Sequence, residues 1–144
     1  MREIKFRGKK IDNKKWVYGY FYEECGNTYI IENKQKQKES ELFRNSPYKI
    51  DKDTVGQFTG LKDKNGGEIY EGDILEVCNG SINGIPWMDK KPYAVEYIIN
   101  KGFRMCMFCW DENGDNNMNS THWCKVIGNI HENPELLKQE KEVK

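Results

Sequence analysis

Gly60-Leu61-Lys62-Asp63-Lys64-Asn65-Gly66-Gly67-Glu68-Ile69-Tyr70-Glu71-Gly72-Asp73-Ile74-Leu75-Glu76-Val77-Cys78 is the stretch whose reading decides the fold. Asn65-Gly66 is the strongest short-range hairpin signal, because both residues accept the positive φ of a tight hairpin turn. Glu71-Gly72-Asp73 makes a second tight turn, with Glu68-Ile69-Tyr70 lying between the two. Ile74 to Cys78 then carries apolar residues on both faces, as expected in a covered barrel wall. Short strands punctuated by turns predict antiparallel β structure, a barrel or a sandwich, rather than alternating strands and helices.

Working outward, the same grammar continues. Tyr93, Val95, Tyr97 and Ile99 share one strand face, Asn100-Lys101-Gly102 turns the chain, and Phe103 to Trp110 returns it as a hairpin. Trp123 to Ile130 is a last strand, and Pro134 opens a short helix or tail. Upstream, Ile4 to Arg7 alternates apolar and basic residues, Asp12 to Lys15 reads as a turn, and Trp16 to Phe21 is a dense aromatic strand. Cys25-Gly26-Asn27 turns into Thr28 to Ile31, completing a meander. Glu32 to Glu41 holds no apolar residue and is expected to be an exposed, solvated loop. The expected organisation is a meander with its charged loop over 1–50, a barrel-like domain over 51–131, and a tail over 132–144.

Composition supports a folded chain. Its 144 residues include eight Tyr, six Phe and four Trp, enough to build a core without a metal or a disulfide. The 23 basic and 23 acidic residues cancel, which counts against a strongly basic nucleic-acid binder. The N-terminus is charged at once and no apolar run approaches membrane-spanning length, so a cytosolic protein is expected. Five Cys, an odd number, argue against a disulfide framework.

Three stretches carry a resemblance. They are Arg2-Glu3-Ile4-Lys5-Phe6-Arg7, the block from Val55 through Asn65-Gly66 to Ile74, and Val126-Ile127-Gly128-Asn129-Ile130 with Glu132-Asn133-Pro134-Glu135-Leu136-Leu137. In this order they resemble the YopX family of phages and prophages along nearly the whole chain. Gly67 stands where such proteins often have Lys, and His131 where Tyr is common. The resemblance implies a phage or prophage origin and a β-rich fold with an SH3-like barrel portion. It implies no reaction, cofactor or catalytic residue.

Candidate sites follow from residue chemistry. Cys106-x-x-Cys109 with His122 and Cys124 is a nominal zinc set, but strand residues three apart point to opposite faces, so buried thiols are the better reading. Tyr70, Glu71 and Asp73 gather a phenol and two carboxylates, equally explained as a turn in which Asp73 caps, Gly72 supplies positive φ and Tyr70 packs. The Asp111 to Asn119 loop lacks the closing Glu of a calcium loop. The loop from Asn79 to Pro92, with Trp87, is long enough to be functional. Lys5, Arg7, Lys9, Lys10, Lys14 and Lys15 with Trp16, Tyr18 and Tyr20 form a basic-aromatic concentration suited to stacking on bases. The competing expectation is a core-facing aromatic row with a solvated basic face opposite. No nucleotide-hydrolysis motif, serine elbow or triad order is present.

The expected function is therefore a non-enzymatic accessory module, without cofactor, binding a host protein or a small signalling ligand. Arg7, Trp16, Tyr18, Tyr70, Glu71, Asp73 and Trp87 are its candidate contacts. The alternative is a nucleic-acid-binding module using the N-terminal strands. Phe21, Tyr22, Tyr29 and Ile30 place apolar side chains on both faces of the meander, which also predicts a homo-oligomer built on these strands.

Overall fold

The computed structural model describes residues 3–32, 46–77, 81–82, 85–86, 92–98, 102–105 and 124–138. The fold is mainly β. Twelve strands occur among the described residues. They are β1 (Phe6–Lys9), β2 (Trp16–Glu24), β3 (Asn27–Glu32), β4 (Tyr48–Ile50), β5 (Gly56–Lys62), β6 (Glu68–Tyr70), β7 (Asp73–Val77), β8 (Ser81–Ile82), β9 (Ile85–Pro86), β10 (Pro92–Ile98), β11 (Gly102–Met105) and β12 (Cys124–Asn129). The chain forms two compact units, Met1–Phe58 and Thr59–Lys144.

In the first unit β1 to β3 form the expected meander, and β4 and the start of β5 extend it on either side. Tight turns set the pairing. Cys25 and Gly26 both adopt positive φ, which joins β2 to β3 without a bulge and places Tyr22 opposite Tyr29. Between β1 and β2, Lys14 takes positive φ and its N–H donates to the Lys10 carbonyl at 3.0 Å. Gly56 and Gln57 of β5 pair with Arg7 and Phe6 of β1. A 3-10 turn over Lys52–Thr54 leads into β5, and Thr54 Oγ1 accepts from the Lys9 N–H at 2.9 Å.

Val17, Ile30 and Ile50 form this unit's core, with Phe6, Tyr48 and Val55 packed against them. They lie on one face of the sheet because side chains alternate along a strand. The same parity carries Gly8 and Gly19, both buried.

In the second unit β5 continues into the Asp63–Gly67 turn and returns as β6. The Asp63 N–H donates to the Gly67 carbonyl at 2.8 Å, and Gly66 has φ of 82°. The four-stranded antiparallel order is β11-β10-β7-β12. β7 is central, and its Ile74 and Leu75 are both fully buried, so this strand is covered on two sides as its apolar run predicts. Leu75 packs with Ile69, Tyr93, Val95 and Cys124. The β12 register shifts between Val126 and Gly128. A single 3-10 turn, Pro134–Leu137, occupies the expected C-terminal helix position.

Among the described residues the four-stranded sheet is open, whereas in the first unit the continuation of β1 bonds to β4, the Asp51 N–H donating to the Lys9 carbonyl at 2.8 Å and the Ile11 N–H to the Lys49 carbonyl at 3.1 Å. Here β11 and β12 are the outer strands of their sheet. Turn chemistry specifies which neighbours pair, but closure needs the two outer strands to meet, and nothing local encodes that. The expected exposed loop lies outside the described residues from Asn33 onward, as does the Asp111 to Asn119 loop. No helix among the described residues is long and apolar enough to cross a membrane.

Candidate functional site

The sheet face opposite the N-terminal core carries the site. Strand parity and unbroken register put Arg7 and Lys9 of β1 on this face, together with Trp16, Tyr18, Tyr20 and Tyr22 of β2. Tyr29 and Ile31 of β3 join them, and Lys49 of β4 lies directly opposite Tyr29. Tyr18 is 43% exposed and Tyr20 56% exposed.

This corrects the expectation of a core-facing aromatic row. The aromatic row faces outward and shares its face with the basic row. The physical reason is on the other parity. Gly8 approaches Ile50, and Gly19 approaches the Ile31 backbone so closely that side chains there have no room. The face that can pack tightly against the core is the one with Val17, Gly8 and Gly19. The larger rings of Trp16, Tyr18, Tyr20 and Tyr22 are left outside. Gly19 was the sequence signal, since a glycine inside a strand often marks a close backbone approach.

Within the face the groups are ordered. Arg7 is 7% exposed, and its guanidinium carbon lies 4.8 Å from the centre of the Trp16 ring system. Lys9 Nζ lies 5.3 Å from the same centre. Two cations thus hold Trp16 by cation–π attraction. Arg7 is buried, so it positions Trp16 rather than presenting charge to solvent. Tyr22 and Tyr29 stack at 5.2 Å with an 18° interplanar angle. Desolvation, then the Glu24 carboxylate and Tyr29, raise the Tyr22 phenol above its ordinary value, so it remains a neutral donor. Lys49 is exposed on the same face. Sequence reasoning missed Lys49, which stands far along the chain from β1 and is placed by its register with Tyr29 and by the Ile11 N–H, which donates to its carbonyl at 3.1 Å.

A shallow cleft of about 340 Å³, which shares Lys49 with this face, is lined by Lys10, Ile11, Asp12, Pro47, Tyr48 and Lys49. Lys10 Nζ sits 3.4 Å from the Tyr48 ring centre.

The second candidate, Tyr70 with Glu71 and Asp73, is a turn in which two of the three side chains are buried. Tyr70 and Asp73 are each 2% exposed, and Glu71 is half-buried. Asp73 Oδ2 accepts from the Tyr70 N–H at 2.8 Å, and the Tyr70 hydroxyl donates to Glu68 Oε2 at 2.8 Å. Gly72 has φ of 82°; its N–H donates to the Val95 carbonyl and its carbonyl accepts from Ile130 N–H, both at 2.8 Å. These bonds join the turn to β10 and to the residue after β12. Tyr70→Phe is expected to lower stability by about 1 kcal/mol through the lost bond to Glu68. The urea midpoint measures it, and an unchanged midpoint would show that this bond contributes nothing.

Of the nominal zinc set, Cys106, Cys109 and His122 lie outside the described residues, as does Trp87. Cys124 is fully buried in the core of the second unit. Among the described residues no group of His, Cys, Asp and Glu has metal-holding geometry.

The block from Val55 to Ile74 thus carries β5 and β6 with two hydrogen-bonded turns. The ending Gly128-Asn129-Ile130-His131-Glu132-Asn133 is another, with Asn129 Oδ1 accepting from the His131 and Glu132 N–H groups at 3.0 Å each. The family model described as YopX protein matches residues 5–138. The chain belongs to the YopX family. Protein EF1440 from Enterococcus faecalis, a crystal structure, is similar to this YopX chain at 28% identity and a TM-score of 0.58. That likeness covers 95% of this chain and 99% of the other. No curated protein matches it.

Proposed function

We propose that this YopX-family chain is a non-enzymatic binding module that captures its partner on the outward face of its N-terminal sheet. An accessory role in a phage or prophage would suit such a module. One observation carries the reading: Tyr18 and Tyr20 stand exposed beside a Trp16 that Arg7 and Lys9 hold in place. Tyr, Trp and Arg dominate the residues that supply binding energy at interfaces, because each offers a large contact area with a polar end. A rigid, ordered aromatic row loses little conformational freedom when it binds. Two of the three groups weighed for catalysis are engaged in the turn, Asp73 accepting from the Tyr70 N–H and the Tyr70 hydroxyl donating to Glu68.

Site-specific photocrosslinking in host cells tests this. A benzophenone side chain replaces Tyr18 or Tyr20, with Tyr97 as control, an aromatic of the second unit that is 52% exposed. Crosslinks to a macromolecule are expected from Tyr18 and Tyr20 and not from Tyr97. Equal yields at all three positions, or none at the first two, would overturn the proposal.

A further inference from the structure

We infer that the shallow cleft between the continuation of β1 and β4 takes an acidic protein segment and seats one of its apolar side chains, an inference that rests on the binding-face reading above. The cleft has two walls, Lys10 to Asp12 on one side and Pro47 to Lys49 on the other. Backbone bonds fix their spacing. The Ile11 N–H donates to the Lys49 carbonyl at 3.1 Å, and the Asp51 N–H donates to the Lys9 carbonyl at 2.8 Å. Lys10 also forms an antiparallel bridge with Ile50, a core residue that is 2% exposed. The walls are therefore preformed, and little freedom is lost when they are covered. Ile11 is 45% exposed on one wall, and Pro47 is exposed on the other. The volume of about 340 Å³ lies near the lower end of ligand sites, roughly 300–1,000 Å³. A cleft this shallow suits a side chain delivered by a macromolecule better than an enclosed small molecule.

The charges select the partner. Lys14 has Asp51 at 4.0 Å and Lys52 has Glu23 at 3.2 Å, whereas Lys10 and Lys49, one on each wall, have no carboxylate at ion-pair distance among the described residues. Asp12, the one carboxylate lining the cleft, accepts from the Asn13 N–H at 2.7 Å. Two cations thus face one carboxylate across an apolar floor, which complements carboxylates flanking an apolar side chain. Lys10 Nζ lies 3.4 Å from the Tyr48 ring centre, so that ring face already carries a cation. The cleft therefore lacks the open aromatic platform on which the bases of a single strand stack. Lys49 stands beside Tyr29, which stacks on Tyr22, so the same acidic segment can run from the aromatic row into the cleft.

The test is selection of a random dodecapeptide library displayed on phage against the full chain, followed by fluorescence anisotropy of the most enriched peptide, synthesised with a label. Enriched peptides are expected to carry net negative charge and at least one large apolar residue. Ile11→Ser, at an exposed position outside the core, should weaken binding of that peptide roughly 10-fold. Lys49→Glu should weaken it roughly 5-fold and flatten its dependence on salt. Tyr97→Ala should change nothing. No enrichment, enriched peptides that are neutral or basic, or full affinity in either cleft variant overturns the inference. So does a labelled oligothymidylate that binds the wild-type chain and loses affinity in both variants, which would make the occupant a nucleic acid. Crosslinks from Tyr18 and Tyr20 that Ile11→Ser and Lys49→Glu leave unchanged would also overturn it while leaving the binding face intact.

Discussion

Gly19→Ala is expected to destabilise the protein by roughly 2–3 kcal/mol, the cost of forcing extra volume into a packed site less the small gain from a stiffer unfolded chain. Gly19 is buried in β2, between Phe6 of β1 and Glu32 of β3. A Cβ there would overlap the Ile31 carbonyl, and would lie 2.8 Å from the Ile31 carbonyl carbon and 3.0 Å from Glu32 Cα. Those atoms are backbone, so they cannot swing aside without disturbing the β2–β3 ladder. Gly8→Ala meets the Ile50 side chain instead, which can shift, and should cost less. Gly26→Ala meets nothing within 4 Å and carries only the strain of its positive φ. Thermal unfolding followed by circular dichroism orders the three. The Gly19 variant should melt about 10 °C lower than wild type. A Gly19 variant that melts within the error of wild type would show that β2 and β3 separate freely here.

Asp63→Ala should produce a loss of similar size, about 3 kcal/mol, and one that depends on pH. Asp63 Oδ1 accepts from the Asn65 and Gly67 N–H groups at 2.9 and 2.8 Å, and Oδ2 accepts from the Val126 N–H at 3.1 Å. One carboxylate therefore closes the β5–β6 turn and ties it to β12. Burial alone would raise this carboxyl group, but the bonds from Val126, Gly67 and Asn65, with Lys64 nearby, outweigh it and hold the group below the ordinary carboxylate range. A folded-state value below the unfolded one of about 3.9 stabilises the fold above that pH. The contribution fades as pH falls through the lower, folded value. Urea unfolding at about pH 7 should show the full gap between wild type and the variant, and the gap should narrow as pH is lowered below the ordinary carboxylate value of about 3.9. An equal gap at every pH would mean that the negative charge is irrelevant and only shape is lost.

Much of the fold was legible because turn chemistry is local. Asn65-Gly66, Gly72 and Cys25-Gly26 each demand a backbone region that few residues enter, and each stands at positive φ or at a turn where the sequence puts one. Strand parity then sorted β7 correctly as covered on both sides. Of the candidate contacts, Arg7, Trp16 and Tyr18 share one face. The direction of that face was not legible. Counting apolar area favours burying Trp16, Tyr18 and Tyr20, and that count fails because a core needs rings or chains that fit at the available distance. Val17 with Gly8 and Gly19 fits; the tyrosines do not. Tyr70 and Asp73 were legible as both a turn and a reactive cluster, and only their hydrogen bonds and burial separate the two.

The sequence by itself determined the mainly β class, the meander of β1 to β3 with the turns around Asn65-Gly66 and Gly72, and membership of the YopX family, but not β4, nor β8 and β9 within the expected loop from Asn79 to Pro92. Those properties depend on a few adjacent residues at a time, or on blocks quoted in order. The tertiary structure alone decided which face of β2 is buried, that Gly56 and Gln57 pair with β1, that Lys49 joins the aromatic face, and that the continuation of β1 bonds to β4 while the four-stranded sheet stays open. Each of these is a choice between arrangements with the same local chemistry. It is settled by close packing between residues far apart in the chain, where a single missing Cβ determines which side can be pressed against a core.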